Sequence, residues 1–426
     1  MGAGALGAGF AGAAHAQAPG QAQVSAAATR GRMVEISIEV PADTPTVYLS
    51  GNTENAGNWN PKGLAMDGKG SSRSVLIPVA AGEVLNYKFT LGTWSREAVG
   101  DNQVVLPNFA LSADTSKASH RLAGFKRDAI EYLRDPKGSG ILGQLIVWED
   151  VGNLFLQEKR HVTIWLPPEY LANPNHRFGV VYAQDGQNLF DPRIANTGTD
   201  WGLDESIVRL RAANKIEPTI VVGLWSTAQR AMEYRPNGVL FKLDNNYRAM
   251  SRAGLQGAIQ GDAYLRLLHE TVKPKVDAEF RTKPEARHTT LLGASLGGVF
   301  SLYGMTAKPE VFGRAACLSL HWPINTAREV IVDSATIWRP EILKAWAGYL
   351  ETIKPADSAR QRLWIDRGDQ ELDSLYADYA TAMEEPLAKA GFGPKNMVHK
   401  AFAGTTHNEA AWRARLDEVL AYTLAA

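Results

Sequence analysis

The sequence predicts an α/β protein, a doubly wound and mainly parallel sheet preceded by a small all-β sandwich. Three observations predict it. From about Ile141 onward, strand-length apolar runs (HVTIWLP, FGVVYAQ, PTIVVGLW, HTTLLGA, AACLSL, RLWID, VHKAFAG) alternate with helical stretches such as DAYLRLLHETVKPKVDAEF and PEILKAWAGYLETI. Alternation of this kind is what parallel strands with crossover helices on both faces require. From Met33 to about Leu122 the rhythm is different. The short segments VEISIEV, TVYLSG, SRSVLIPV and VLNYKFTLG, punctuated by Gly, Asn, Asp and Pro, favour an antiparallel sandwich. Finally, 426 residues exceed the usual size of one core, so about two to three domains are expected.

In chain order, residues 1–32 read as a signal-like tail, 33–122 as the sandwich, 123–140 as a linker and 141–426 as the α/β domain. The tail is Ala/Gly-rich, and Ala14-His15-Ala16 before Gln17 has the small-residue form of a signal-peptidase site, although a positively charged start is missing. A secreted or periplasmic protein is the expectation. Elsewhere no apolar stretch reaches about 18 residues, so no membrane-spanning helix is expected.

Composition excludes several function classes. Lys plus Arg equals Asp plus Glu at 45 each, so no net field favours nucleic acid or an anionic membrane. Cys317 is the only cysteine, which rules out an internal disulfide and a thiolate metal cluster. Lying in AACLSL, it reads as a buried, inert thiol. No H-x-x-x-H pair, P-loop or dinucleotide fingerprint occurs, and no cofactor is expected.

The chemistry concentrates at Gly293-Ala294-Ser295-Leu296-Gly297, where the run HTTLLGA gives way to LGGVFSLYGMTA, which reads as a helix. A G-x-S-x-G between strand and helix is the context of a nucleophile elbow, a strained turn that presents a serine hydroxyl. A hydroxyl is a weak nucleophile at neutral pH and needs a histidine base oriented by a carboxylate, in the chain order Ser, acid, His. Three histidines follow Ser295: His321, His399 and His407. His407, on a loop after the last strand run, is the candidate base. His399 lies within that run and reads as structural, and His321 precedes any suitable acid and reads as pocket lining. The acid should follow RLWID, where Asp366, Asp369, Glu371 and Asp373 all lie within reach and spacing does not choose among them. The oxyanion donors are expected at the N–H of Leu296 and, in the loop AQDGQNLFD, the N–H of Gln187 after the turn at Gly186. Trp225, Trp322 and Trp412 follow strand ends or the histidine loop and are candidates for an aromatic wall of the substrate pocket.

Taken together, LPPEY, YAQDGQNLFD, RAMEYRP, GASLGG and THNEAAW resemble the esterase D/enterochelin-esterase-like branch of the α/β-hydrolases. That branch includes feruloyl, acetylxylan and siderophore esterases and mycolyltransferases. The resemblance covers about residues 141–426 and implies an α/β-hydrolase fold, with Ser295 as nucleophile, His407 as base, and Gln187 and Leu296 as oxyanion donors. For the acid it is divided: spacing after the loop glycine favours Glu371, whereas the form DxG…LDxxY favours Asp373, the preferred choice. Residues 33–122 resemble a starch-binding-type carbohydrate module, which implies Trp59 and Trp94 as faces for sugar rings. The function so implied is an exported serine esterase acting on a small-molecule or carbohydrate-linked ester, with polysaccharide as a further partner. Two rivals stand beside it. One is a siderophore esterase with Arg230 and Arg235 near the pocket, and the other is a carbohydrate-binding protein with an inactive hydrolase half. The oligomeric state is not legible.

Overall fold

The seven apolar runs become strands of one eight-stranded sheet. The structure is a computed structural model describing residues 31–80, 82–111, 115–134, 139–156, 158–244, 258–324 and 338–425. The signal-like residues Ala14 to Gln17 lie outside the described residues. The chain divides into two compact units, Met1–Thr93 with Asn108–Leu122, and Trp94–Pro107 with Ala123–Ala426.

In the smaller unit, β1 (Arg32–Glu39), β4 (Ser72–Val79) and β8 (Lys117–Arg121) form one sheet in the order β4-β1-β8. A second sheet has the order β3-β2-β5-β7, from β2 (Tyr48–Gly51), β3 (Leu64–Ala65), β5 (Leu85–Thr90) and β7 (Phe109–Leu111). Alternation along β1 buries Val34, Ile36 and Ile38 on one face, as the period of two requires. The hydroxyl of Tyr87 on β5 lies 2.7 Å from Nε2 of His120 on β8, joining the two sheets.

The larger unit begins earlier than the strand rhythm suggests. Trp94–Pro107, expected in the N-terminal module, belongs here, where β6 (Ala98–Val99) pairs antiparallel with β9 (Gly124–Phe125). The stretch expected as a linker, 123–140, holds β9 and a helix, α1 (Ala129–Arg134). It is anchored by burial. The Lys126 ammonium donates to the Ile194 carbonyl at 2.8 Å, and buried Tyr132 lies beneath the guanidinium groups of Arg127 and Arg193 at 4.5 and 5.0 Å.

The large sheet has the order β10-β11-β13-β12-β14-β15-β16-β17: β10 (Gln144–Val151), β11 (Arg160–Leu166), β12 (Gly179–Gln184), β13 (Thr219–Leu224), β14 (Thr289–Ala294), β15 (Arg314–Leu318), β16 (Arg362–Arg367) and β17 (Met397–Ala401). The β10-β11 and β11-β13 pairs are antiparallel and the others parallel. Every residue of β12, β13, β14 and β15 is buried, because helices cover both faces. Alternation on β14 sends Leu291 into one core, and Leu292 and Ala294 into the other. The first core takes Val299, Phe300 and Leu302 from α3 (Leu296–Ala307), Trp346 and Tyr349 from α4 (Arg339–Leu350), and Tyr379 and Met383 from α5 (Ala377–Lys389). The second takes Leu203 and Ile207 from α2 (Leu203–Ala212), and Leu416, Val419 and Leu420 from α6 (Glu409–Thr423). The carboxyl ends of β12, β14, β15, β16 and β17 are therefore left to loops, where open α/β sheets place their ligands.

Candidate active site

Ser295 stands between β14 and α3 with φ 56° and ψ −125°, a conformation costly for a residue with a Cβ and one that persists only where packing enforces it. The enforcement is visible at Gly293, where a Cβ would meet the Gly297 carbonyl carbon at 2.3 Å. Only glycine lets strand and helix approach so closely. Throughout 289–306 every residue is buried except Ser295, which is partly exposed. Its carbonyl accepts from the N–H of Val299 at 3.1 Å and of His321 at 3.4 Å.

His407 occupies the loop between β17 and α6. Asn408 caps that helix, its side chain accepting from the Ala411 N–H at 2.9 Å, which fixes where the loop ends. The ring of His407 meets the ring edges of Tyr376 and Trp412 at centroid distances of 5.9 and 5.3 Å. Its Nδ1 lies 2.5 Å from Oδ1 of Asp373. Of the two acids left open by the resemblance, Asp373 is fully buried against the histidine, whereas Glu371 is exposed at φ 49°. Asp366 is turned to Arg415, and Asp369 caps the Gly404 N–H.

Asp373 sits at the centre of a buried polar cluster. Its Oδ2 accepts from the Ser319 hydroxyl and from the Gly368 N–H, both at 2.6 Å. The Ser319 oxygen accepts in turn from Trp412 Nε1 at 2.9 Å and Arg415 Nη2 at 2.8 Å. Indole and guanidinium can only donate, so the single Ser319 proton is directed to Asp373. Burial pushes the Asp373 carboxyl upward, but the contacts with His407, Ser319 and Gly368 outweigh it and hold the group below its ordinary value. Arg415 is balanced by Asp366 at 2.8 Å, so the cluster buries a paired charge. His321, buried at 3% exposure, reaches the Tyr376 hydroxyl through Nδ1 at 2.6 Å, which makes it a support of the Tyr376 wall.

The loop after β12 carries Asp185 at φ 55°, then Gly186 and Gln187. A Cβ on Gly186 would meet Gly223 of β13 at 2.5 Å, so the loop hugs the neighbouring strand. Arg230 clamps the Asp185 carboxylate with Nε and Nη2 at 2.6 and 2.8 Å. The Gln187 side chain is held on both ends by Ser226, through Nε2 to Oγ at 2.6 Å and the Ser226 N–H to Oε1 at 3.1 Å. The N–H groups of Gln187 and of Leu296, first residue of α3, have no partner among the described residues.

The tryptophans separate. Trp225 is partly buried and lines a cavity with Gln187. Trp322, expected as pocket wall, is 1% exposed and packs edge-on against Trp346 at 5.3 Å in the core. Trp412, expected beside it, is 7% exposed and faces His407 and Ser319 instead. Trp94, expected on the N-terminal module, lies in the larger unit, while partly buried Trp59 stays in the smaller one at φ 60°. Sequence reasoning missed Ser319, Arg415 and the Asp185–Arg230 clamp. Their roles arise from tertiary contacts that no local pattern marks, although Tyr376 was visible as the last residue of LDSLY. Among the described residues no three His, Cys, Asp or Glu side chains converge to hold a metal ion, and no helix is long and apolar enough to cross a membrane.

A serine on a strand-to-helix turn, with a histidine–carboxylate pair on the loops after the last two strands of a mainly parallel sheet, defines the α/β-hydrolase class. The family follows from comparison with known proteins. A family model described as "Putative esterase" matches residues 155–423, more than half of the chain. The chain belongs to this esterase family. The uncharacterized protein YbbA of Bacillus subtilis (strain 168) is 25% identical over 176 residues, 41% of this chain. The chain spans about 62% of the length of that relative. Among solved structures, a ferulic acid esterase is 17% identical, with 67% of this chain and 99% of that chain covered at a TM-score of 0.46. The enterobactin esterase FES from Shigella flexneri is 14% identical, with 92% and 93% covered at a TM-score of 0.45.

Proposed function

We propose that this protein is an exported serine carboxylic-ester hydrolase that cleaves acyl esters of carbohydrate through an acyl-enzyme intermediate. The observation that carries the reading is the 2.5 Å contact of His407 Nδ1 with buried Asp373, on loops at the end of the sheet where Ser295 is the one partly exposed residue of its run. In this reading His407 Nε2 removes the Ser295 proton as Oγ attacks the ester carbonyl, and Asp373 fixes the ring so that Nδ1 keeps its proton. The tetrahedral oxyanion is held by the N–H groups of Gln187 and Leu296, the second reinforced by the amino end of α3. Collapse breaks the C–O bond, and the imidazolium delivers its proton to the leaving alcohol. Water, activated by the same imidazole, then releases the acid and restores Ser295.

Arg230 is engaged by Asp185 and Arg235 is fully buried, so neither supports an anionic siderophore ester. The smaller unit, whose described residues form strands apart from a short 3₁₀ turn at Glu54–Ala56, is read as a β-sandwich carbohydrate module with Trp59 as its sugar contact. Hydrolysis of acetyl, feruloyl and plain aryl esters by the wild type, and its loss in Ser295→Ala, tests the proposal. Equal rates from both proteins would refute it.

A further inference from the structure

The segment that leaves the N-terminal module for the larger unit brings an indole to a cavity beside the loop after β12. Trp94, at 39% exposure, begins this segment four residues before β6, and the β6–β9 pairing ties it to the chain that carries Lys126. Trp94 and Trp225 line one cavity of about 360 Å³, together with Gln187 and Ser226. Gln187 is the residue whose N–H is assigned above to the oxyanion, so the cavity and the proposed oxyanion site share one residue of the loop after β12.

The chemistry of the lining selects the occupant. Its ionisable groups are Glu97, Asp128, Lys126 and Arg127, two acids and two bases, so the cavity offers no net attraction to an anion. Exposed Asp128 and Asn196 at its rim supply groups that accept and donate hydrogen bonds. Two indoles amid neutral-sum polar groups suit a molecule with apolar C–H faces and a girdle of hydroxyls, because flat aromatic faces cover the first while polar groups satisfy the second. A purely aromatic acyl chain would leave the polar lining unpaired, at a cost.

We propose that this cavity is the alcohol-side subsite of the enzyme and binds a sugar ring, with Trp94 as its stacking face. The inference rests on the esterase reading and adds the place where the sugar alcohol sits and the residue that receives it. It also moves Trp94 from polysaccharide docking to selection of the bond that is cleaved.

The test compares kcat/KM for a monoacetylated methyl β-xylopyranoside and for p-nitrophenyl acetate in full-length wild type, Trp94→Ala and Trp94→Phe. The sugar-to-aryl ratio is expected to fall about tenfold in Trp94→Ala, the scale of one lost aromatic contact, and to recover largely in Trp94→Phe, which keeps a flat face. A wild type that cleaves only p-nitrophenyl acetate, or a ratio unchanged in Trp94→Ala, overturns the sugar subsite and leaves the esterase reading intact. A wild type that cleaves neither ester overturns both.

Discussion

Replacing Ser319 with alanine removes one oxygen from the centre of the buried cluster behind His407. Trp412 Nε1 and one Arg415 N–H lose their acceptor, and Asp373 loses one of three partners. A buried donor left unpaired costs about 1–3 kcal/mol, and Arg415 keeps its contact with Asp366, so the expected loss of stability is about 2–3 kcal/mol. The catalytic effect has a sign that a loss of stability alone does not produce. With the Ser319 proton gone, negative charge on Asp373 is less dispersed and holds a proton on His407 more strongly. The acid limb of the kcat/KM profile should therefore move to higher pH, while kcat falls about tenfold and KM changes little. The assay is a pH–rate profile on p-nitrophenyl acetate, with thermal melts of the same samples. An unmoved acid limb, with activity following only the folded fraction, would refute the reasoning.

Asp373→Asn should lower kcat by about 10³-fold or more, through a wrong tautomer of His407, whereas Glu371→Gln should stay within about twofold; a reversed order in steady-state assays contradicts the geometry. Asp204 offers a pH test away from the chemistry. Burial first, then its contact with Glu205, pushes the Asp204 carboxyl up to about 8. The folded chain thus keeps a proton that the unfolded chain has released, so this group's contribution makes stability fall as pH rises from about 4 toward 8. Asp204→Asn should flatten the slope of Tm against pH in that window, and parallel curves for the two proteins would count against it.

The sheet was legible because its interior strands are apolar on both faces, and β12, β13, β14 and β15 carry that signature in unbroken runs. The edge strand β10 was not, since its apolar stretch is only Leu145–Trp148, runs straight into Glu149 and Asp150, and is no more than partly buried. Ser295 and His407 could be found from chain order and the adjoining strands. The carboxylate could not, because Glu371 and Asp373 are two residues apart on one short helical turn and only its orientation sends one inward. Trp412 was misjudged for a related reason. It begins the second turn of α6, and the face it takes is set by packing on His407 and Ser319 rather than by its distance from the loop. Trp94 follows a strand of the smaller unit closely in sequence, and only the pairing of Ala98 with Phe125 reveals that it folds with the other one.

The central claim is that Ser295 is the nucleophile and that His407 activates it. Intact-mass spectrometry after brief exposure to a fluorophosphonate tests this most directly. One adduct mapping to Ser295 is expected in the wild type, none in Ser295→Ala, and labelling slowed by at least about 10³-fold in His407→Ala. An adduct on another residue, or equal labelling of the wild type and Ser295→Ala, would contradict the account.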